Sequence, residues 1–360
     1  MVFLRPELTH TLPATHGALD FAELERFGLS AESVLDFSVN SNPFGPSPAV
    51  HAAIAATPLD RYPDRESLAL RRALAERLQL SPEQIVIGNG TAELIWLAGF
   101  ASLKAGDDVL ILGPTFGEYE RAIRLMAVTP RQWNALPAAG FAFNVPEITR
   151  MLDSAKFRAV FLCNPNNPTG QVFPNQAIRA WAEAHPQTLF IVDEAYLAFV
   201  PDMKSVLPAG CANLLVLRSM TKDYALAGLR LGYAAGDERL IRALAAVRPA
   251  WNVNALAQAA GLAALSDDGH QQTTLAQLQQ EKHFLLSELT TLGFAPLPSQ
   301  TQFFLVPVGN ATVFRQNLLP QGILVRDCTS FGLPNHIRIS PRARGENLRL
   351  LEVLKHVGPG

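Results

Sequence analysis

The sequence predicts an α/β protein: a large domain built on a mainly parallel sheet covered by helices, joined to a small α+β domain. Three observations carry this expectation. The first is length, since 360 residues exceed what one compact core usually holds. The second is an alternation, from about Ser47 to Arg242, of helix-like stretches with short runs that are almost wholly apolar. Runs of that kind are what a parallel strand shows when helices cover both of its faces. The third is a change of texture after Pro249, from alternation to long helices followed by a few strand-like segments.

The elements follow in chain order. Ser47-Pro48 reads as an N-cap with proline in the first turn, opening a helix to about Ala56. Leu70, Ala73, Leu74 and Leu78 recur at helical spacing over 68–78. Ser81 to Gln84 has the form of a capping box, but Ile85-Val-Ile87 follows at once, so a turn entering a strand fits equally. Further strands are expected at Val109–Leu112, Ala159–Cys163, Leu189–Val192, Leu214–Leu217 and Leu231–Ala235, with covering helices at Glu118–Met126 and Asn175–Ala184. Beyond Pro249 the spacing predicts helices over 254–265 and 272–292, strands at 303–308, 323–326 and 337–340, and a last helix from about Glu346. Leu136–Pro146 and Pro296–Gln302 read as loops. The expected division is an N-terminal arm over 1–45 that joins the small domain, a large domain over 46–245 and a small domain over 246–360.

Composition excludes several classes of function. Lys plus Arg number 30 against 32 Asp plus Glu, so there is no basic footprint for a nucleic-acid backbone or an acidic membrane. The three cysteines, Cys163, Cys211 and Cys328, have no metal-like or redox-like spacing, which predicts neither a disulfide framework nor a metal site. Arg5 and Pro6 interrupt the first apolar residues, and the longest apolar stretch, Leu94 to Leu103, is broken by Gly99 and Ser102. The expectation is a cytoplasmic protein without a spanning helix.

The strongest chemical signal is Ser219-Met-Thr-Lys222 just beyond an apolar run, with Arg230 eight residues on. Desolvation at a buried strand end disfavours the charged ammonium, and the resulting free amine is a nucleophile toward a carbonyl. Ser219, Thr221 and Arg230 offer donors for a phosphate, so the cluster suggests an aldehyde cofactor that bears one. For either Lys222 or Arg230 alone, a solvated surface residue is the simpler reading. Asp193 ends another apolar run, where α/β sheets place ligands, and could hold a pyridine nitrogen protonated or merely cap a helix. Asn164-Pro-Asn-Asn-Pro-Thr-Gly170 is a rigid turn from which Asn167 could donate to a phenolate, with Tyr196 as a second donor. Gly90, Thr91 and Ala92 lie between a strand and a helix, where backbone N–H groups form an anion site. Phe116 could stack on a flat ring or serve as a core aromatic.

Taken together, Asn89-Gly-Thr, Phe116, Asn167-Pro-Thr-Gly170, Asp193-Glu-Ala-Tyr196, Ser219-x-x-Lys222 and Arg230 resemble the fold-type I pyridoxal-phosphate enzymes, the class I/II aminotransferase superfamily. The resemblance runs from about His16 to the C-terminus. It implies an aspartate-aminotransferase-like fold and pyridoxal 5'-phosphate as cofactor. Lys222 would hold the cofactor covalently and shuttle a proton, and Asp193 would pair with the ring nitrogen. Asn167 and Tyr196 would bond the phenolic oxygen and Phe116 would stack. Gly90, Thr91, Ala92, Ser219, Thr221 and Arg230 would hold the phosphate. It further implies a homodimer in which Tyr62, in Arg61-Tyr-Pro63, reaches the phosphate of the neighbouring subunit.

Two arginines narrow the branch. Arg338 matches the family residue that grips a substrate carboxylate, and Arg326 matches the one that histidinol-phosphate aminotransferases and threonine-phosphate decarboxylases use for a substrate phosphate; a salt bridge from Arg326 to Asp327 or Glu346 is the other reading. The substrate implied is a small phosphorylated amino acid or amine. The segment Leu35 to Gly45, which contains Asn42, the pair His16-Gly17 and the segment Arg248 to Ala257 resemble the decarboxylases, with His16 and Asn42 on the substrate side. These matches favour an L-threonine O-3-phosphate decarboxylase, which makes (R)-1-amino-2-propanol phosphate for cobalamin synthesis. Histidinol-phosphate aminotransferase, or a related enzyme using glutamate and 2-oxoglutarate, is the alternative. A catalytically silent binding protein on the same fold is the remote one, and Lys222 argues against it. Ala18 stands in place of the decarboxylases' second glycine, Ser47-Pro48 is equally typical of the aminotransferases, and Asp223 after the lysine is expected in neither.

Overall fold

The computed structural model describes residues 5–11, 13–207 and 210–358. Strand β1 (Leu35–Asp36) belongs to the N-terminal segment. The large sheet is built from β2 (Ile85–Gly88), β3 (Val109–Gly113), β4 (Arg131–Asn134), β5 (Ala159–Cys163), β6 (Leu189–Asp193), β7 (Leu214–Ser219) and β8 (Gly232–Gly236). Its spatial order is β2-β8-β7-β6-β5-β3-β4, and only β8 runs antiparallel, pairing with β2 and β7.

Every residue of β3, β5 and β6 is buried, as expected of strands covered on both faces. The side chains nonetheless alternate between two cores. Ala159, Phe161 and Cys163 of β5 join the cluster under helices 90–102 and 118–125, whereas Val160 and Leu162 join Ile148, Leu152, Ile178 and Trp181 on the other face. Helices on both sides fix the sheet, and the loops after its carboxyl edge are left to build a site.

Several elements were not legible in the sequence, helix 311–318 among them. Edge strand β4 buries only Trp133, so it lacks the apolar run that marks its neighbours. Helix 145–154 begins inside the stretch read as a loop: the Asn144 side chain accepts from Glu147 N, and Pro146 sits in the first turn. Helix 238–247, capped by Asp237, falls where the texture gave no separate signal. Between Ser81 and Ile85 the chain makes a short 3-10 turn and then enters β2, which settles the two readings of that segment.

The smaller unit contains the antiparallel sheet β11-β12-β9, from β9 (Phe304–Pro307), β11 (Arg326–Asp327) and β12 (His336–Ile339), and β10 (Ile323–Leu324) paired in parallel with β1. Its core joins Phe37 of the N-terminal segment to Leu285, Leu289, Phe304, Ile323, Ile337 and Leu350. Helix 255–265 behaves otherwise than the boundary drawn at 246. Ala257, Ala260 and Ala264 pack with Val50, Leu70 and Tyr233 against the large sheet, because small side chains at that spacing admit close helix contact. The long helix 268–291 spans the two units, with Leu278 in the large core and Leu285 and Leu289 in the small one.

Candidate active site

The carboxyl ends of β3, β5, β6 and β7 converge, as the rule for open α/β sheets requires. At the end of β6, Asp193 is 3% exposed, receives the Tyr119 hydroxyl at 2.7 Å and the Ala195 N–H at 3.0 Å, and feels the charge of Lys222. Burial pushes its carboxyl above the usual range; the Tyr119 and Ala195 donors and the charge of Lys222 oppose that shift. Just past β7, burial brings the Lys222 amine down to about 8, helped by the positive charges of Arg338 and Arg230. A lysine so placed carries a substantial neutral fraction near neutrality, the state that attacks a carbonyl.

The phosphate-like end of the site is a backbone construction. Gly90 opens helix 90–102 at φ +78°, and a Cβ there would stand 2.7 Å from Arg230 Nη2. Only glycine lets the guanidinium lie over the first-turn N–H groups of Gly90, Thr91 and Ala92. Gly232 of β8 lets Thr91 N approach to 3.0 Å of where its own Cβ would be. Ser219 Oγ and Thr221 Oγ1 lie 2.7 Å apart beside this helix start.

Tyr196 is 6% exposed; its hydroxyl, pushed up to about 12 by burial, accepts from Asn40 Nδ2 at 3.4 Å. Asn167 meets Arg338 Nη1 through its side-chain oxygen. Phe116 is partly buried, edge-on to Tyr119 at 5.7 Å and tilted to His16 at 5.4 Å.

Arg326 and Arg338 face each other directly across the β11–β12 ladder. They are 5% and 4% exposed, and among the described residues neither forms a salt bridge. Arg326 instead donates to Thr15 O and Ser330 Oγ, both at 2.7 Å, and lies 5.1 Å from the Phe331 ring. Asp327 and Glu346, the two sequence candidates for its partner, bond Thr312 and Arg342. Burial and the neighbouring Arg338 pull Arg326 down to about 10. Two desolvated guanidiniums without a carboxylate are costly unless a ligand anion completes them.

The remaining candidates sit as follows. His16 Nε2 is 2.9 Å from Glu118 Oε1. Asn42 does not present its amide to a ligand: Nδ2 donates to Asp223 O and Thr274 Oγ1, and Oδ1 accepts from Phe44 N. Asn42 N also bonds Lys222 O, so this residue braces the lysine segment. Tyr62 is 81% exposed and stacks on Trp251 at 4.7 Å. Residues that sequence reasoning missed are Tyr119, Asn40 and Glu118. Tyr119, three residues after Phe116 at the start of a helix, shares its face, a signal that was available.

A cofactor fits these residues. Arg338 Nε, Asn40 Oδ1 and Gln302 Oε1 are buried polar atoms with no partner among the described residues, which native interiors rarely tolerate without a ligand or water. With a carbonyl-reactive lysine, a buried carboxylate and a glycine-lined anion cradle, the donor set suits an aromatic aldehyde phosphate. Residues 32–357 match the family model described as aminotransferase class I and II.

The chain belongs to the class I and II aminotransferases. It is 37% identical over 334 residues to the histidinol-phosphate aminotransferase of Symbiobacterium thermophilum, covering 91% of each chain. The histidinol-phosphate aminotransferase of Sinorhizobium meliloti, solved in complex with pyridoxal-5'-phosphate, superposes with a TM-score of 0.88 at 25% identity over 98% of this chain and 97% of that one. The L-threonine-O-3-phosphate decarboxylase of Porphyromonas gingivalis gives a TM-score of 0.78 at 26% identity, over 89% and 98%.

These findings correct the expectation of a threonine-phosphate decarboxylase. Curated relatives at 33–37% identity over 91–99% of this class I/II aminotransferase chain carry the name histidinol-phosphate aminotransferase. The motifs around His16, Asn42 and Arg248 are short, and a likeness there is outweighed by one that spans the chain.

Proposed function

We propose that this protein is a pyridoxal-phosphate-dependent aminotransferase that moves an amino group between a small phosphorylated amine, histidinol phosphate foremost, and 2-oxoglutarate. The observation that carries the reading is a pair of buried arginines, Arg326 and Arg338, opposed across the β11–β12 ladder with no salt-bridge partner among the described residues, Arg338 lying near enough to Lys222 to act on its amine. A glutamate-sized carboxylate and a phosphate are both anions that such a pair binds in a bidentate manner.

The cofactor, when bound, supplies an aldehyde for the amine and a ring that accepts electron density. The chain does the rest. Lys222 would hold the aldehyde, and its neutral amine would take and return a proton at the substrate carbon. Asp193, buried and bonded to Tyr119 and Ala195 N, keeps the ring nitrogen protonated. Tyr196 and Asn167 orient the phenolic oxygen, and Phe116 covers the ring face. Gly90, Thr91, Ala92, Ser219, Thr221 and Arg230 bind the cofactor phosphate. His16 and Arg326 lie on the substrate side of the site. No helix among the described residues is long and apolar enough to cross a membrane, and Cys163 and Cys328 are buried thiols, which suits a reducing cytoplasm. Tyr62, exposed in one chain, fits a homodimer in which it reaches the partner's cofactor phosphate.

The test is a product assay. Histidinol phosphate and 2-oxoglutarate should yield glutamate, and Arg326→Ala should lower kcat/KM on the order of 100-fold, mainly through KM. Turnover of unphosphorylated amines at equal efficiency would refute the assignment.

A further inference from the structure

The segment 13–18 ties both substrate-side arginines to one buried carboxylate. Thr15 O accepts from Arg326 Nη2 at 2.7 Å, and the next residue, His16, places Nε2 2.9 Å from Glu118 Oε1. Gly17 lies so close to Ser38 that a Cβ would stand 2.5 Å from Ser38 O, and that carbonyl accepts from Arg338 Nη2 at 2.7 Å. Ala18 N completes the seam on Ser38 Oγ at 2.8 Å.

Glu118 is 3% exposed. Burial pushes its carboxyl up, but the donors His16, Trp96 and Arg121 outweigh that and hold it below the usual range, so it stays a carboxylate. Trp96 Nε1 at 3.1 Å and Arg121 Nη1 at 3.3 Å come from the same large unit, which leaves His16 as the bond that reaches the N-terminal segment. Beside it lies a cavity of about 270 Å³, lined by Thr11, Thr15, Gly117, Arg121, Ser330 and Phe331 among others. Thr15 and Ser330, the two residues that occupy Arg326, both face it.

A guanidinium bonded to a neutral carbonyl and a hydroxyl gives these up to an oxyanion, because charge-assisted bonds are about twice as strong. We propose that Glu118 is a positioning residue for the phosphate end of the substrate: through His16 it holds residues 15–18 as the wall of the Arg326 subsite, so that an incoming phosphate replaces the Thr15 carbonyl while the wall stays in place. This inference rests on the phosphorylated-amine reading above, and its test separates the two.

Hydrogen exchange is measured on the holoenzyme with inorganic phosphate as probe, for wild type and Glu118→Gln. In the variant, the peptide containing residues 13–18 should exchange about tenfold faster and phosphate should bind about tenfold more weakly, while helix 90–102 keeps its rate. With substrates, the ratio of kcat/KM for histidinol phosphate to that for histidinol should fall about tenfold through KM, with kcat nearly unchanged. Glu118→Asp should recover part of each effect. Wild-type exchange in the segment, or unchanged phosphate affinity, overturns the proposal. If neither amine turns over, the functional reading fails, and exchange and phosphate binding still decide this one. Exchange that quickens equally in helix 90–102 also overturns it, because Glu118 would then brace the whole large unit and not the segment.

Discussion

At Lys222 the folded protein holds an amine near pKa 8 against an ordinary 10.5, and the consequence is a pH-dependent stability. Below about pH 8 the ammonium is charged and desolvated, a cost present in full; as pH rises from 8 toward 10.5 the folded state has already lost the proton and the cost fades. Lys222→Met should therefore raise the Tm of the apoprotein most below pH 8, with the gain shrinking toward pH 10.5; a gain independent of pH contradicts the charge account. Tyr119→Phe removes the 2.7 Å donor to Asp193 and should cost about 1–3 kcal/mol in denaturant unfolding while lowering kcat. At this scale the sequence was informative where chemistry is local. Lys222, Asp193, Gly90 and Arg230 declare themselves at strand ends and turns. Asn40, Glu118 and the true duty of Asn42 do not, because their partners lie at Tyr196, His16 and Thr274, far away in the chain.

Among the elements, the buried strands were readable because helices on both faces demand unbroken apolarity, and helices 68–78 and 175–184 because one face packs. Edge strand β4 was not, since one buried residue in four makes no pattern. Helix 255–265 was readable as a helix but not as part of the large unit, because alanine-rich spacing does not say which surface it meets. Two backbone positions give sharp tests. Ala18 takes φ +97°, so Ala18→Gly should stabilise the segment 13–18 by about 1 kcal/mol, seen as a higher denaturation midpoint. Gly232→Ala would press a methyl 2.9 Å from Arg218 O and 3.0 Å from Thr91 N, so it should destabilise by about 1–3 kcal/mol and weaken cofactor retention. An unchanged midpoint and cofactor affinity would show that β8 can retreat from the helix start.

For the whole molecule, the net charge of −2 concealed an anion-seeking interior, since Arg326 and Arg338 are buried and neither forms a salt bridge among the described residues. Composition averages over the chain and is blind to two residues brought together by one ladder register. The same distinction explains the branch. Short motifs report phosphate recognition, which decarboxylases and aminotransferases share, whereas the outcome depends on which bond at the substrate carbon stands perpendicular to the cofactor ring. If Tyr62 acts across a dimer, mixing Lys222→Ala with Tyr62→Ala chains at limiting cofactor should restore activity, because one hybrid site regains both groups; no restoration places Tyr62 in cis. A single turnover with glutamate alone separates transamination from decarboxylation. The expected result is that the holoenzyme converts its cofactor aldehyde to the amine form and releases one 2-oxoglutarate per site. A cofactor unchanged by glutamate, together with carbon dioxide released from L-threonine O-3-phosphate, would contradict it.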